Sequence, residues 1–296
     1  MTEEADSTFY IGHFPSDSRY ARVLLDIGYF LSSYTHLIMT RLALLLILAG
    51  CLAFATWRES RQQPAAHTET TLPSSDGAPF AVVELFTSEG CSSCPPADRL
   101  LAQLAAEARD SGKPVFTLSF HVDYWNYLGW ADPYSDAAFS ARQQAYSWAL
   151  RDRVYTPQMI INGRRSFVGS DADRARRDLA EALQQPASVT LNAGVSPLTA
   201  EGVLLVSYAA PDLPENAVVH LTVVERGLSQ RVTRGENTGR TLDHDNVVRV
   251  FETVEAPFGK VNLELPDDLT LANASLIAYA QDVKSMAVLG ATSIDL

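Results

Sequence analysis

Two cysteines separated by two serines constrain this 296-residue chain more than any other feature of its sequence. Cys91 and Cys94 follow a run of β-branched and apolar residues at positions 81–86, which is typical of a strand buried on both faces of a sheet. After the motif, apolar residues recur at helical spacing until Gly112, and two prolines stand where a first helical turn tolerates their missing N–H groups. The motif is therefore predicted to lie where a strand leads into the N-terminus of a helix.

The residues after this helix alternate between strand and helix patterns. We predict, in this order, a strand at 115–121, a helix at about 135–151, strands at 158–161 and 164–168, and a helix between Ser170 and Pro186. Asn162 and Gly163, between the last two strands, are the strongest short signal for a hairpin turn. With Pro157 opening the third strand, this order matches the thioredoxin fold. Residues 80–186 are therefore predicted to form an α/β thioredoxin-like domain, a mixed sheet with flanking helices.

The pattern changes after residue 186. Seven short runs read as strands, at positions 188–192, 203–208, 218–225, 247–253, 261–265, 275–281 and 287–289. Short strands at this density predict an all-β sandwich-like domain over residues 187–296. The polar stretch at 226–245 is predicted to be a long loop.

The sequence predicts an export signal ahead of the folded part of the chain. Met39 precedes the apolar run at 42–48, so Met39 is the preferred start of translation. Residues 1–38 are then a mis-assigned upstream extension, with a short tail as the alternative. This choice affects the topology of the chain and leaves its chemistry unchanged.

Residues 39–55 fit a signal sequence, a lipoprotein signal or a membrane anchor. Cys51 ends a lipobox-like sequence and is the favoured site of lipidation, while cleavage after Ala55 is the competing interpretation. Residues 56–79 are polar and are predicted to be a flexible linker. Every one of these interpretations places the rest of the chain outside the cytoplasm, in the periplasm or cell envelope, with a lipid anchor or apolar segment as its contact with the membrane.

Charge and compartment limit the partners of the folded part. The formal net charge of -12 excludes a general nucleic-acid binder, which needs a basic surface. With Cys51 lipidated or removed, Cys91 and Cys94 are the remaining cysteines, and an exported compartment permits a disulfide between them. The expected partners are exported protein thiols or a redox partner protein. The oligomeric state stays open.

The two motif cysteines are the candidates for thiol chemistry. A thiolate at a helix N-terminus is stabilised by the helix dipole and by unpaired N–H groups, which lower the pKa of the first cysteine of such motifs to roughly 3.5 to 7.5. Cys91 is therefore the candidate nucleophile, and Cys94 is the candidate resolving thiol that closes the disulfide. This chemistry requires no cofactor beyond the disulfide itself.

Five further positions are candidates to support this chemistry. In the thioredoxin fold, the proline before the third strand is cis and faces the disulfide, so Pro157 is a candidate catalytic residue and Thr156 a candidate for substrate pairing. Glu84 is similar to the carboxylate that thioredoxins bury to move the proton of the resolving cysteine, with an exposed strand residue as the alternative. Tyr124 and Trp125 begin an aromatic loop that would either bind a substrate or pin the loop to the domain.

Two other classes of function compete with redox chemistry. Two thiolates and His121 would suit Cu(I), a soft ion, although a structural histidine is the simpler interpretation of His121. In the second alternative, the disulfide is structural and the protein only binds a partner. His244 and Arg249 would either approach the motif or tie down the long loop. A serine hydrolase is poorly supported because no nucleophile motif occurs in a matching context.

Several longer stretches carry a family resemblance. The sequences VELFTSEGCSSCPPAD at 83–98, HVDYW at 121–125 and YTPQM at 155–159, together with RGEN at 234–237 and HDNVVR at 244–249, resemble the domain-of-unknown-function 1223 family of secreted, thioredoxin-like bacterial proteins. The similarity runs from about residue 80 to the C-terminus. It implies the fold and the location of the site, and it implies thiol–disulfide exchange only at the level of the superfamily.

Overall fold

The computed structural model describes residues 70–71, 77–199 and 202–296. The predicted extension, the predicted export signal and most of the predicted linker lie outside these residues. Residues His67–Leu296 form one compact unit. No helix in the described part of the chain is long and apolar enough to cross a membrane.

The first half of the described chain alternates strands and helices as predicted. Its elements are β1 (Thr70–Thr71), β2 (Ala81–Thr87), α1 (Pro95–Ser111), β3 (Val115–Val122), a 3₁₀ segment (Asp123–Leu128), β4 (Ser135–Asp136), α2 (Ala137–Leu150), β5 (Gln158–Ile161), β6 (Arg165–Val168) and α3 (Ala172–Ala182). Asn162 and Gly163 form the predicted turn, with φ angles of 48° and 65°. The cap of α3 is Asp171 and not Ser170, because the Asp171 carboxylate accepts a hydrogen bond from the backbone of Arg174.

The second half consists of strands. They are β7 (Asn192–Val195), β8 (Val203–Ala209), β9 (Ala217–Glu225), β10 (Leu228–Arg231), β11 (Thr241–His244), β12 (Val247–Val254), β13 (Phe258–Glu264), β14 (Ala274–Asp282) and β15 (Val288–Asp295). Two predictions need correction. The first strand begins at Asn192 and not at residue 188. The stretch at 226–245 contains the β10–β11 hairpin. In β11, Leu242 and His244 are buried, whereas Thr241 and Asp243 are exposed.

A mixed nine-stranded sheet runs through both halves, in the order β15-β14-β9-β12-β3-β2-β5-β6, with β4 beside β3. Strands β2 and β3 are parallel, and β5 pairs antiparallel with β2. The halves join where Val247 of β12 pairs with Ser119 of β3, and the Ser119 N–H donates to the Asn246 carbonyl oxygen at 2.8 Å. The predicted boundary at residue 186 therefore does not separate two sheets. Strand periodicity reveals the face that a strand buries, and it does not reveal a pairing partner more than 100 residues away.

Helices cover both faces of the first half of the sheet. The odd-numbered residues of β2, Val83 and Leu85, pack with α1 and α3, whereas its even-numbered residues, Val82 and Phe86, pack with α2. A smaller sheet, in the order β1-β7-β8-β13, lies over β9 and β14 and shares an apolar core with them. The motif helix α1 therefore lies on the face of the sheet to which odd-numbered β2 residues point.

Candidate functional site

The two motif cysteines form a disulfide at the start of α1. Cys94 is the N-cap residue of α1, and its N–H donates to the Cys91 carbonyl oxygen at 3.2 Å. Neither cysteine has exposed surface, whereas Ser92 and Ser93 between them are exposed. The Sγ of Cys91 lies 3.3 Å from the Ser93 hydroxyl. The motif thus lies at the strand-to-helix junction predicted from the sequence.

The aromatic loop contacts the motif through Trp125. The indole Nε1 of Trp125 donates to the Thr156 hydroxyl at 2.8 Å. A Cβ atom added at Gly90 would lie 2.9 Å from the Cβ of Trp125, so Gly90 leaves the space that this side chain fills. Tyr124 donates from its hydroxyl to Gln143 at 3.0 Å, and burial raises the pKa of Tyr124 to about 12. Trp125 therefore connects the residue before the motif to Thr156, and Tyr124 ties the loop to α2.

Pro157 lies beside the motif helix. The peptide bond between Thr156 and Pro157 is cis, as predicted. A Cβ added at Gly169 would lie 3.2 Å from the Cβ atoms of both Pro157 and Ala97, the third residue after Cys94. The structure thus brings the cysteines, Thr156 and Pro157 to one region of the molecule.

Glu84 does not join this region, which corrects the prediction for it. It is an even-numbered β2 residue and points to the α2 face, where Arg142 donates to its carboxylate at 2.8 and 3.0 Å and the Tyr146 hydroxyl donates at 2.6 Å. Burial lowers the pKa of Arg142, but the Glu84 carboxylate outweighs burial and the net pKa is well above the usual value. Glu84 is the charge partner of Arg142, on the opposite face of β2 from the motif helix.

On the motif side, five ionisable residues form what we call the histidine network: Glu89, Asp98, His121, Asp132 and His244. The Nδ1 of His121 is 2.8 Å from Asp132, and the Nε2 of His244 is 3.1 Å from Glu89. The two imidazole rings meet edge to face with centroids 4.8 Å apart. Each residue of the network is 0 to 6% exposed. Two imidazole–carboxylate pairs are therefore packed together in the interior.

Neighbouring groups connect the histidine network to the motif. The N–H of Glu89, two residues before Cys91, donates to Asp132 at 2.8 Å, and Trp130 Nε1 donates to the Glu89 carboxylate at 2.7 Å. Asp98 accepts from the Thr87 hydroxyl at 2.7 Å. One helical turn separates Asp98 from Cys94, and the Asp98 N–H donates to the Cys94 carbonyl oxygen at 3.2 Å. The network therefore borders the motif at both ends.

Burial and neighbouring charges shift the pKa values of three residues of the histidine network. Burial raises the pKa of Asp98, and the two imidazoles oppose this shift only in part. Burial lowers the pKa of His121, but the Asp132 carboxylate outweighs burial, and the net pKa of His121 is raised. Burial raises the pKa of Asp132, but His121 outweighs burial and brings the pKa of Asp132 below its usual value. Nε2 of His121 and Nδ1 of His244 have no hydrogen-bond partner among the described residues. Such unpaired buried polar atoms are costly and require an explanation.

A segment from the second half covers the motif. We call residues 232–240, between β10 and β11, the cap segment. The side chain of Asn237 has no exposed surface and donates to the carbonyl oxygens of Glu89 at 2.8 Å and Cys91 at 3.0 Å. The Glu236 carboxylate accepts from the Ser92 N–H at 3.0 Å. The polar backbone groups of the motif are thus bound by residues about 145 positions further along the chain.

The arrangement does not fit the predicted alternative of a Cu(I) site. The sulfur atoms of Cys91 and Cys94 are bonded to each other, and the Nδ1 of His121 is held by Asp132. No three His, Cys, Asp or Glu side chains within residues 77–199 and 202–296 are placed to hold a metal ion. The ligand set proposed from the sequence is therefore not assembled in the structure.

Sequence reasoning missed most of the histidine network. Asp98 carries a usable signal, because four residues after Cys94 is one helical turn on the same face. Glu89 and Asp132 carry none, since their partners are distant in sequence. Of the two residues left undecided, His244 reaches the network, whereas Arg249 pairs with acidic residues elsewhere.

Comparison with known proteins finds two similarities. Residues 82–281 match the profile of a family described as "Protein of unknown function (DUF1223)". The crystal structure of protein AGR_C_4864 from Agrobacterium tumefaciens is 29% identical, with 73% of this chain and 94% of that chain covered and a TM-score of 0.50. No protein of curated function matches the sequence. Neither similarity names an activity.

Proposed function

The chain belongs to the DUF1223 family of proteins of unknown function, and from its site we propose that it is a thiol–disulfide oxidoreductase. Cys91 forms a mixed disulfide with a partner thiol, and Cys94 resolves it. The observation that carries this proposal is the disulfide between Cys91 and Cys94 at the N-terminus of α1, with the cis Thr156–Pro157 peptide bond beside the same helix. A thiolate released at this position gains from the helix dipole and from nearby N–H groups.

The order of elements supports a thioredoxin-like identity for the first half. The parallel strands β2 and β3, the crossover helix α1, the antiparallel hairpin β5–β6 and the final helix α3 follow the arrangement expected of that fold. We propose that residues 80–186 are thioredoxin-like and that residues 187–296 are a sandwich-like addition to the same sheet. Fold analogy supports the location of the site more strongly than its substrate.

The disulfide also bears on location. Disulfides last in oxidising compartments and are rare in the cytosol. Together with the apolar sequence before residue 55, this supports an exported protein of the periplasm or cell envelope whose partners are exported protein thiols.

A structural disulfide in a binding protein is the second candidate. Two observations favour it: both cysteines are fully buried, and Asn237 binds the carbonyl oxygen of Cys91. In that case the bridge would resist reduction, whereas an exchanging bridge has to become accessible when the cap segment moves.

The reduction potential decides between the two candidates. The full chain is equilibrated in glutathione buffers, and its free thiols are counted by alkylation and mass spectrometry. We expect a reversible couple between about -120 and -270 mV, as in working oxidoreductases. A disulfide that stays oxidised below about -300 mV would mean a structural bridge.

A matched pair of variants tests the assigned roles. In Cys94→Ser, glutathione disulfide should leave a stable adduct on Cys91, because the resolving thiol is missing. In Cys91→Ser, the remaining thiol is the assigned resolving thiol Cys94 at the N-cap of α1, and it should react at least 10-fold more slowly. Equal labelling of the two variants would contradict the assignment of Cys91 as the nucleophile.

A further inference from the structure

The histidine network contains more carboxylates than imidazoles. Three carboxylates, those of Glu89, Asp98 and Asp132, face the two imidazoles of His121 and His244. With every carboxylate ionised and both imidazoles protonated, the network carries one net negative charge. One further proton brings the network to neutrality. Because a buried net charge is costly, the neutral network is favoured.

The geometry places this proton on Asp98. Glu89 and Asp132 each have an imidazole partner and a second donor, the Trp130 N–H for Glu89 and the Tyr134 N–H for Asp132. The carboxyl of Asp98 has the Thr87 hydroxyl as its hydrogen-bond partner, and no imidazole bonds to it directly.

The groups that face Asp98 come from four elements. They are Thr87 of β2, His121 of β3, Asp132 before β4 and His244 of β11. The two imidazoles favour an ionised Asp98, while its burial and Asp132 oppose ionisation, and burial is the larger effect. The nitrogens without partners belong to the same two imidazoles. An ionised Asp98 would therefore lie in the field of two imidazoles that each keep an unused ring nitrogen.

We propose that the histidine network stores a proton on Asp98, which passes to the sulfur of Cys94 when the disulfide opens and returns when the disulfide closes. This inference rests on the proposed exchange function. It makes His244, from the second half of the chain, a positioning residue of the redox site.

The step balances in both directions. A partner thiolate attacks Sγ of Cys91, the bond between the two cysteine sulfurs breaks, and Cys94 leaves with the electron pair. Its sulfur takes the proton of Asp98, and the new Asp98 carboxylate is stabilised by His121 and His244. A second partner thiol then loses its proton and displaces Cys91, which leaves with the electron pair and takes up that proton, so the partner is oxidised to a disulfide and the motif is reduced to the dithiol. In reverse, Asp98 removes the proton from Cys94 as it attacks.

Infrared difference spectroscopy tests the stored proton directly in the wild-type full chain. The oxidised protein should show the C=O stretch of a protonated carboxyl group, which disappears on reduction by dithiothreitol and shifts in D₂O. The band should be missing in Asp98→Asn and present in Asp178→Asn. Asp178 is a matched control because it is a buried aspartate of α3 whose partners are arginines.

Kinetics test the use of the proton. Reduction of Asp98→Asn by dithiothreitol at pH 7 should be about 100-fold slower than that of the wild type, at the low end of what a positioned acid–base group contributes. Asp98→Glu should recover part of the rate. His244→Gln should shift the pH profile of reduction, whereas His220→Gln, at a buried histidine on the α2 face, should leave it unchanged.

The outcomes separate this inference from the proposed function. A disulfide that glutathione reduces reversibly, with no carboxyl band and with equal rates for wild type and Asp98→Asn, would overturn the stored proton and leave the exchange function intact. A disulfide that glutathione cannot reduce, but whose chemical reduction removes the carboxyl band, would overturn the exchange function alone. If Asp98→Asn does not fold, the wild-type spectrum and His244→Gln still decide.

Discussion

Two buried polar networks lie on opposite faces of the same sheet, and they are built differently. On the α2 face, Glu84, Arg142, Tyr146, Gln281 and His220 form what we call the arginine network. Gln281 accepts from Arg142 at 3.0 Å and from the His220 ring at 2.9 Å, and it donates to Tyr146 at 2.8 Å. The histidine network lies on the α1 face, beside the disulfide.

The networks differ in what they leave unpaired. Both ring nitrogens of His220 have partners, Thr253 and Gln281, whereas His121 and His244 each keep a buried nitrogen without one. In the arginine network one cation meets one carboxylate, although the hydroxyl of the adjoining Tyr279 lacks a partner. A closed network of this kind holds elements in register, while unused donors beside a reactive group provide for a change of charge.

The largest effect that would sharpen this comparison is expected from Arg142→Met. It leaves the Glu84 carboxylate buried without its cation, and we expect a loss of about 3–5 kcal/mol in the free energy of unfolding, measured by urea denaturation. The rate of disulfide reduction in the folded variant should stay at the wild-type value. The double variant with Glu84→Gln should recover part of the stability. A reduction rate that falls as far as in Asp98→Asn would show that the two networks act as one.

A smaller effect is expected from Asn237→Ala, which removes the hydrogen bonds that hold the cap segment on the motif. The carbonyl oxygens of Glu89 and Cys91 lose their donor, so we expect a loss of about 1–3 kcal/mol in the free energy of unfolding. Reduction by dithiothreitol should become about 10-fold faster, because the motif is less covered. Thr238→Ala, at an exposed neighbour in the same segment, is the control. A rate equal to the wild type would mean that the cap segment does not limit access.

The smallest effect is a difference in the titration of two buried histidines. The pKa of His121 is raised by Asp132, while burial and Arg142 bring the pKa of His220 well below its usual value. NMR of the ring protons should therefore show a midpoint above 6.5 for His121 and no protonation of His220 near pH 6.

The same pKa shifts give two contributions to the free energy of unfolding that depend on pH in opposite directions. That of His121 is complete below pH 6.5 and is lost as the pH rises through its pKa in the folded protein. That of His220 is present above pH 6.5 and is lost as the pH falls below 6.5, by at most about 1.4 kcal/mol per pH unit. His220→Gln should flatten the acid side of the stability curve, and an unchanged acid side would contradict the assignment.

Local patterns predicted the local structure well. The strands around the motif, helix α1 and the Asn162 turn follow from signals within a few residues, whereas the cis bond before Pro157 is expected from the likeness to the thioredoxin fold. Alternation along β2 places Glu84 and Leu85 on opposite faces, but it does not say which face receives α1, so Glu84 was assigned to the wrong side.

The rest depends on contacts between distant residues. The β12–β3 pairing joins residues 119 and 247, and the pair of Glu89 with His244 spans 155 positions. The β10–β11 hairpin was missed because most residues of its strands are polar, with Leu228 and Leu242 as the two apolar residues. Such contacts depend on the tertiary fold, and no short window of sequence contains both partners.

The separation in sequence between the motif and its cap segment also sets the interval between their synthesis. Asn237 lies 146 residues after Cys91. At about 5–20 residues per second, a ribosome completes Cys91 roughly 7 to 30 s before it reaches Asn237. Throughout that interval the nascent cysteines have neither their cover nor His244. Whichever oxidant or reductant meets the growing chain in that interval therefore meets the two cysteines without their cover.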